Sequence, residues 1–288
     1  MYAEIFQRNY GVFTSGEQER IKNARVIIIG CGEVGGNTGV TLARSGVEHL
    51  MLVDDDVFEL SNTNRQTGSY VDTAGRKKVE VLREEIERIN PEAEVSTMEE
   101  RIAPEHLEQY LKGYDVLISS ADDFAYSIVA TRIAKRIGIP SVIGFPVGSL
   151  ARIWTSTPGS PDIEDYFALP KNEPDYRALH EALYGAKGRL NYARWAQRRC
   201  SWSAEWASGY ASSKLSLSQI APVVWLTSSL VALEALKCIT HKWEPVVFPR
   251  YWKITPTSAD IKVFVSHSDK DEGDDEGGGE LNAERALL

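Results

Sequence analysis

Apolar residues in the first half of the chain arrive in two kinds of run, and the two kinds alternate. Val26-Ile27-Ile28-Ile29 is short, continuous and β-branched, the pattern of a strand buried on both faces, and it stops at Gly30. His49 to Val53 is a second such strand, stopping at Asp54, and residues 94–98, 115–119 and Ser141–Ile143 supply three more. Between them the apolar spacing changes to three and four. Val79, Leu82, Ile86 and Ile89 mark an amphipathic helix over 76–89, which Asn90-Pro91 ends. Val34–Arg44, residues 104–112 (opened by Pro104) and residues 125–137 read as further helices. A first helix starts at Ser15, with Gln18 three residues on completing a capping box, and runs to Lys22. Strands and helices alternating at this spacing predict a mostly parallel sheet with helices on both faces.

After residue 150 the alternation stops. Residues 156–176 are rich in Pro, Asp and Glu and read as a long loop, and residues 186–206 are basic and rich in Trp. A strongly apolar helix follows over 219–240, then a strand pair at 250–255 and 260–265. No internal repeat and no motif for a separate domain is visible. The expectation is one domain over 1–268, with a nucleotide-binding part at 1–150 and a substrate-facing part at 151–268. Residues 269–288 form an acidic tail expected to be disordered, because a Gly-rich acidic run without aromatics buries too little surface to order itself.

That tail changes the reading of charge. Seven acids and one lysine within 269–280 carry six of the nine net negative charges. The remainder is nearly balanced, and neither DNA nor other nonspecific nucleic-acid binding is suggested by it. At 43% hydrophobic and 25% charged, the composition is that of a globular protein. No run approaches the roughly 18 consecutive apolar residues of a membrane span. The opening Met1-Tyr2-Ala3-Glu4 lacks the pattern of a secretory signal, so a cytoplasmic location is expected. Cys31, Cys200 and Cys238 are too few and too widely spaced for a disulfide framework or a Cys-x-x-Cys zinc site.

The candidate chemistry begins where the first strand ends. Gly30-Cys31-Gly32-Glu33-Val34-Gly35 is a Gly-x-Gly-x-x-Gly between a strand and a helix. There the first glycine permits the turn, the second lets backbone approach a phosphate, and the third lets helix pack on strand. Asp54, closing the second strand, stands where an acid commonly takes a ribose hydroxyl. A dinucleotide and ATP both suit this much. The next loop separates them. Asp54-Asp55-Asp56 through Ser61-Asn62-Thr63-Asn64-Arg65-Gln66 gathers acids, amides and an arginine beyond the sheet's carboxyl edge, and hydride transfer needs none of them. Attack on the α-phosphate of ATP does need cations on phosphate oxygens and a carboxylate for Mg²⁺. Arg65 and Lys78 can supply the cations, and Asp122 the metal ligand.

On these residues the chain resembles the MoeB/ThiF/HesA family, which includes the activating enzymes of ubiquitin-like proteins. The matching pieces are Gly30–Gly35, Asp54 and Asp56, the run Ser61–Gln66, Lys78, Asp122, and an Arg8 ahead of the first helix. Ser228 to Lys237 also resembles the family's late helix. The resemblance implies a Rossmann-like α/β adenylyltransferase, extended by the C-terminal helix and strand pair, that uses ATP and Mg²⁺ to convert a carboxylate into an acyl-adenylate. It implies that Gly30, Gly32, Gly35, Asp54, Asp56, Asn64, Arg65, Gln66 and Lys78 bind the nucleotide. Arg65, Lys78 and Asp122 would serve the chemistry, Asp122 rather than its neighbour Asp123 would hold Mg²⁺, and Arg8 would act on the partner's nucleotide in a homodimer. The substrate implied is a ubiquitin-like protein's C-terminus, a precursor peptide or a tRNA-borne carboxylate.

Several residues depart from that pattern. Where many relatives carry the first zinc-binding cysteine pair, the chain reads Thr157-Pro158-Gly159-Ser160-Pro161, so no zinc is expected. Glu33 stands where relatives have a small residue, and an acid there would repel a triphosphate unless it points outward, which is the orientation expected. Cys200, flanked by Arg198 and Arg199, whose charge could favour a thiolate, is the one candidate for a thioester, with a buried structural thiol as the other reading. The cations and tryptophans of 187–202 suit RNA, an acidic peptide or a solvated helix face. The competing functions are a non-catalytic nucleotide-binding scaffold of the same family and an NAD(P)-dependent oxidoreductase.

Overall fold

A computed structural model describes residues 1–167, 169–171, 176–255, 257 and 260–265. The acidic tail anticipated at 269–288 lies outside the described residues. In chain order the elements are α1 (Tyr2–Ile5), α2 (Ser15–Asn23), β1 (Arg25–Ile29), α3 (Gly35–Ser45), β2 (His49–Val53), α4 (Lys78–Ile89), β3 (Glu94–Met98), α5 (Leu107–Leu111), β4 (Val116–Ser119) and α6 (Phe124–Arg136). They continue with β5 (Ser141–Val147), β6 (Leu150–Ser156), α7 (Ile163–Phe167), α8 (Arg177–Tyr184), α9 (Ala186–Arg199), α10 (Ala204–Ala211), α11 (Ala221–Thr240), β7 (Arg250–Thr255) and β8 (Asp260–Val265).

One eight-stranded sheet runs in the order β3-β2-β1-β4-β5-β6-β7-β8. The first five strands are parallel, and β5 to β8 pair antiparallel. From β1 the chain winds outward one way through β2 and β3, then returns to lay β4 on β1's other side. The carboxyl ends of β1 and β4 are therefore a topological switch point, the crevice where open α/β sheets bind ligands.

The β-branched run of β1 explains its central place. Val26 and Ile28 face one apolar cluster with α3, α4 and α11, while Ile27 and Ile29 face another with α5, α6 and α8. A strand buried on both faces needs apolar residues at every position, and each such isoleucine contributes roughly 1.5–3 kcal/mol. Helix α11 is long and apolar enough to cross a bilayer. It lies instead in the core, so close to β5 that a Cβ on Gly144 would sit 2.6 Å from Val231. Its fully buried Glu234 accepts bonds from the Val246 N–H (2.7 Å), Trp252 Nε1 (2.8 Å), Thr155 Oγ1 (3.2 Å) and the Lys237 ammonium. These donors satisfy a charge that would otherwise destabilise the core, and they tie α11 to β6 and β7.

Three expectations are corrected. The capping box of α2 is Thr14 with Glu17, not Ser15 with Gln18. Gln18 is buried and donates instead to the Tyr2 hydroxyl and the Ser45 carbonyl. The strand at 141 runs on to Val147 and turns directly into β6, so the break in alternation at residue 150 is a hairpin. Periodicity misses it because both strands are buried on both faces and interrupted by Gly144, Pro146 and Gly148. The stretch 156–176 includes the short α7, held by Glu164 pairing with Arg132 of α6.

Candidate active site

The glycine loop closes on the switch point by backbone contact. Gly30 has φ +87°, and a Cβ there would lie 2.3 Å from the Ser120 carbonyl oxygen at the end of β4. A Cβ on Gly35 would lie 1.8 Å from the Gly30 carbonyl, so α3 starts directly on the turn. Gly32 differs: a Cβ there meets only Gln66 Nε2, at 3.9 Å, and the space above it is open to a ligand. Asp54 holds the loop in place. Its carboxylate accepts from the Cys31 N–H at 2.6 Å and the Asp56 N–H at 2.9 Å. Burial raises the Asp54 carboxyl above its usual range, against the pull of Lys78 and these two N–H groups.

Beyond the loop opens a cleft of about 980 Å³ lined by Asp56, Asn64, Arg65, Gln66, Lys78 and Asp122, among others. That is at the upper end of the roughly 300–1,000 Å³ of small-molecule sites. Asn37, a buried residue of α3 that pattern reading missed, sets the backbone on one side. It donates to the Arg65 carbonyl at 3.1 Å and accepts from the Thr67 N–H at 2.7 Å. A polar residue on a helix face that packs inward was the available signal. Arg65 donates to the Ser61 carbonyl (3.0 Å) and to Asn64 Oδ1 (2.7 Å). Gln66 leaves its buried Oε1 without a partner among the described residues.

Lys78, only 5% exposed, places its ammonium 2.8 Å from Asp56 Oδ2. Burial works to lower its pKa, but Asp54, Asp56 and Asp122 outweigh it and hold the ammonium above its usual range. Asp122 and Asp123 divide their work. Asp123 caps α6 through the Tyr126 N–H at 3.2 Å and pairs with Arg101 at 2.8 Å. Asp122 is exposed toward the cleft, and its carboxylate accepts no bond from any described residue. The protein ringing Asp122 displaces water and raises its carboxyl above the usual range, while Lys78 works against the rise. Tyr184 of α8, a second residue missed, donates its hydroxyl to the Asp122 carbonyl at 3.0 Å and accepts from the Phe124 N–H at 2.8 Å. It fixes the backbone from which Asp122 projects.

One expected placement fails, and one of three open readings closes. Glu33 points into the cleft, not outward: its carboxylate pairs with the Arg65 guanidinium and accepts from the Gln219 amide. Those two donors, invisible in the local sequence, compensate the acid where a helix's first turn alone would have left it free to face water. The tryptophans of 187–202 do not form a stacking surface. Trp195 and Trp202 are buried with Tyr192, Cys200 and Tyr210 in a third apolar cluster, and α9 turns other residues outward. Cys200 is fully buried, and burial pushes its thiol up to about 12, which Arg152 and Arg199 only partly oppose; these are the surroundings of a structural thiol. Arg8 lies exposed on a single-turn helix and does not line the cleft of its own chain.

A glycine loop at the switch point, with cations and carboxylates converging beyond it, belongs to an α/β domain of Rossmann-like type. The chain belongs to the ThiF family, whose model matches residues 6–274. It is 39% identical over 127 residues to the probable adenylyltransferase/sulfurtransferase MoeZ of Mycobacterium tuberculosis, a match covering 44% of this chain and 32% of that protein. It is 34% identical over 138 residues to the tRNA threonylcarbamoyladenosine dehydratase of Bacillus subtilis, covering 48% of this chain and 54% of that one. The structure of Escherichia coli MccB with MccA-N7isoASN superposes with a TM-score of 0.66 at 26% identity, over 86% of this chain and 65% of MccB. The chain thus spans less than two thirds of the length of each of these relatives.

Proposed function

We propose that the protein is a cytoplasmic, homodimeric adenylyltransferase that uses ATP and Mg²⁺ to activate a carboxylate as an acyl-adenylate, with release of pyrophosphate. The observation that carries this reading is the convergence of Arg65, Lys78 and Asp122 on one cleft beside the open backbone of Gly32. The Asp122 carboxylate lines that cleft and takes no hydrogen bond from any described residue, which leaves it available to a ligand.

In this reading Asp54, whose oxygens keep free lone pairs beside their two N–H bonds, accepts from a ribose hydroxyl. Arg65, Lys78 and Asn64 donate to the phosphate oxygens. An oxygen of the substrate carboxylate attacks the α-phosphorus, the bond to the bridging oxygen of the β-phosphate breaks, and the electron pair leaves with pyrophosphate. Arg65 and Lys78 stabilise the negative charge that grows there, and the enclosed site makes each of them worth more than in water. Asp122 fits a hard divalent cation as an unpartnered carboxylate, and Mg²⁺ held there would neutralise phosphate charge. Arg8, exposed and outside the lining of its own cleft, would serve a second copy's site. The acyl substrate belongs to the classes named for relatives or implied by resemblance: a ubiquitin-like C-terminus, a peptide or a tRNA-borne carboxylate.

Calorimetry with ATP and Mg²⁺ against NAD tests the reading first. ATP binding without NAD binding supports it, and carboxylate-dependent exchange of labelled pyrophosphate into ATP then separates an enzyme from a scaffold. NAD binding without ATP binding would return the glycine loop to a dehydrogenase. Sedimentation of the purified protein as a monomer would remove Arg8 from the site.

A further inference from the structure

Glu33 joins three segments of the cleft. One carboxylate oxygen takes the Arg65 guanidinium from the loop after β2, and the other takes the side-chain amide of Gln219, the residue before the N-cap of α11. Gln219 is anchored in turn on the Pro146 carbonyl at 3.0 Å. The pair is largely dry, with side-chain exposures of 14% for Glu33 and 18% for Arg65. The Nε donor of Arg65 is thus already taken by an anion from its own chain. The one Glu33 oxygen on Arg65 takes the Nε donor that a phosphate oxygen could otherwise accept from. Both anions cannot occupy the Arg65 Nε donor at once, and an unpaired Glu33 carboxylate would lie against the phosphates that had displaced it.

We propose that Glu33 is an internal competitor for the phosphates of the nucleotide. ATP gains the Nε donor of Arg65 only by exchanging a phosphate oxygen for the Glu33 carboxylate, so Glu33 sets the nucleotide affinity downward. This rests on reading the cleft as an ATP site. The exchange is feasible because burial disfavours the Glu33 carboxylate, which is the group that must give way. The apparent affinity of ATP is reduced by the fraction of molecules in which Arg65 is engaged internally. Glu33 acts through Arg65 and is a positioning residue.

The test is calorimetry on wild type, Glu33→Gln and Glu33→Gly, each titrated with ATP, pyrophosphate and adenosine in the presence of Mg²⁺, with a thermal melt to show that each variant is folded. Competition predicts that ATP and pyrophosphate bind about tenfold tighter to either folded variant, while adenosine, which lacks phosphates, is unchanged. A clamp that merely orients Arg65 predicts the reverse, weaker ATP and pyrophosphate. Unchanged or weakened pyrophosphate binding in the folded variants overturns the proposal and leaves the ATP site standing. Tighter pyrophosphate in a protein that binds no ATP would keep the competition and overturn the ATP site instead.

Discussion

The ammonium of Lys78 and the carboxylate of Asp56 meet at 2.8 Å, with the lysine buried and the aspartate exposed to the cleft. The charge is thereby carried from the first turn of α4 to the edge of the open space, where Asp54 and Asp122 also act on it. Lys78→Ala is expected to weaken ATP binding by about 1–3 kcal/mol, the loss of a charge-assisted contact. Calorimetry reads this directly, and equal affinities in the two proteins would take Lys78 out of the phosphate site.

Gly30 and Gly32 belong to one motif but answer to different constraints. At Gly30 a Cβ would meet the Ser120 carbonyl at 2.3 Å on a backbone with φ +87°, so Gly30→Ala is expected to cost more than about 2 kcal/mol in stability. At Gly32 the space is free, so Gly32→Ala is expected to fold normally and to weaken ATP about tenfold, or about 1.4 kcal/mol. Urea unfolding beside ATP titration checks both. A Gly32→Ala protein that unfolds early and binds ATP normally would reverse the assignment.

Asp122 and Asp123 should separate in the same way. Asp123→Ala removes the cap of α6 and the partner of Arg101, and is expected to cost about 1–2 kcal/mol of stability. Asp122→Asn removes no protein hydrogen bond among the described residues. It is expected to leave the unfolding midpoint in place and to lower pyrophosphate exchange by about 100-fold or more. Full exchange in Asp122→Asn would pass the metal to another carboxylate.

Glu33 gives the stability a pH signature. Burial raises its carboxyl from 4.5 to about 7, against the opposing pull of Arg65. Between those values the folded chain holds a proton that the unfolded chain has released, so stability falls as pH rises. Its contribution is complete below pH 4.5 and lost through pH 7, a change of about 3 kcal/mol at roughly 1.36 kcal/mol per unit. Glu33→Gln does not titrate. Its stability relative to wild type is expected to rise by that amount between pH 4.5 and pH 8, as read from urea midpoints. A difference that stays constant across that range would contradict the raised pKa.

The parallel half of the fold and the position of the glycine loop were legible in the sequence because the forces behind them are local. Four consecutive β-branched residues suit little except a strand buried on both faces, and a glycine-rich turn between such a strand and a helix has few geometries. The residues expected at the nucleotide site sit mostly at or just beyond the ends of parallel strands, and parallel strands bring those ends to one edge. Arg8 is the exception: it lies exposed on a short helix and does not line the cleft. Tertiary structure alone decided the rest. The β5–β6 hairpin is stabilised by α11 packing onto Gly144, a contact between residues far apart in the chain. Trp195 and Trp202 turned inward because Tyr192 and Tyr210 offered them a core. Glu33 turned inward because Gln219, 186 residues later, and Arg65 meet it there. A charged side chain goes where its desolvation is best compensated, and those partners exist only once the chain has folded.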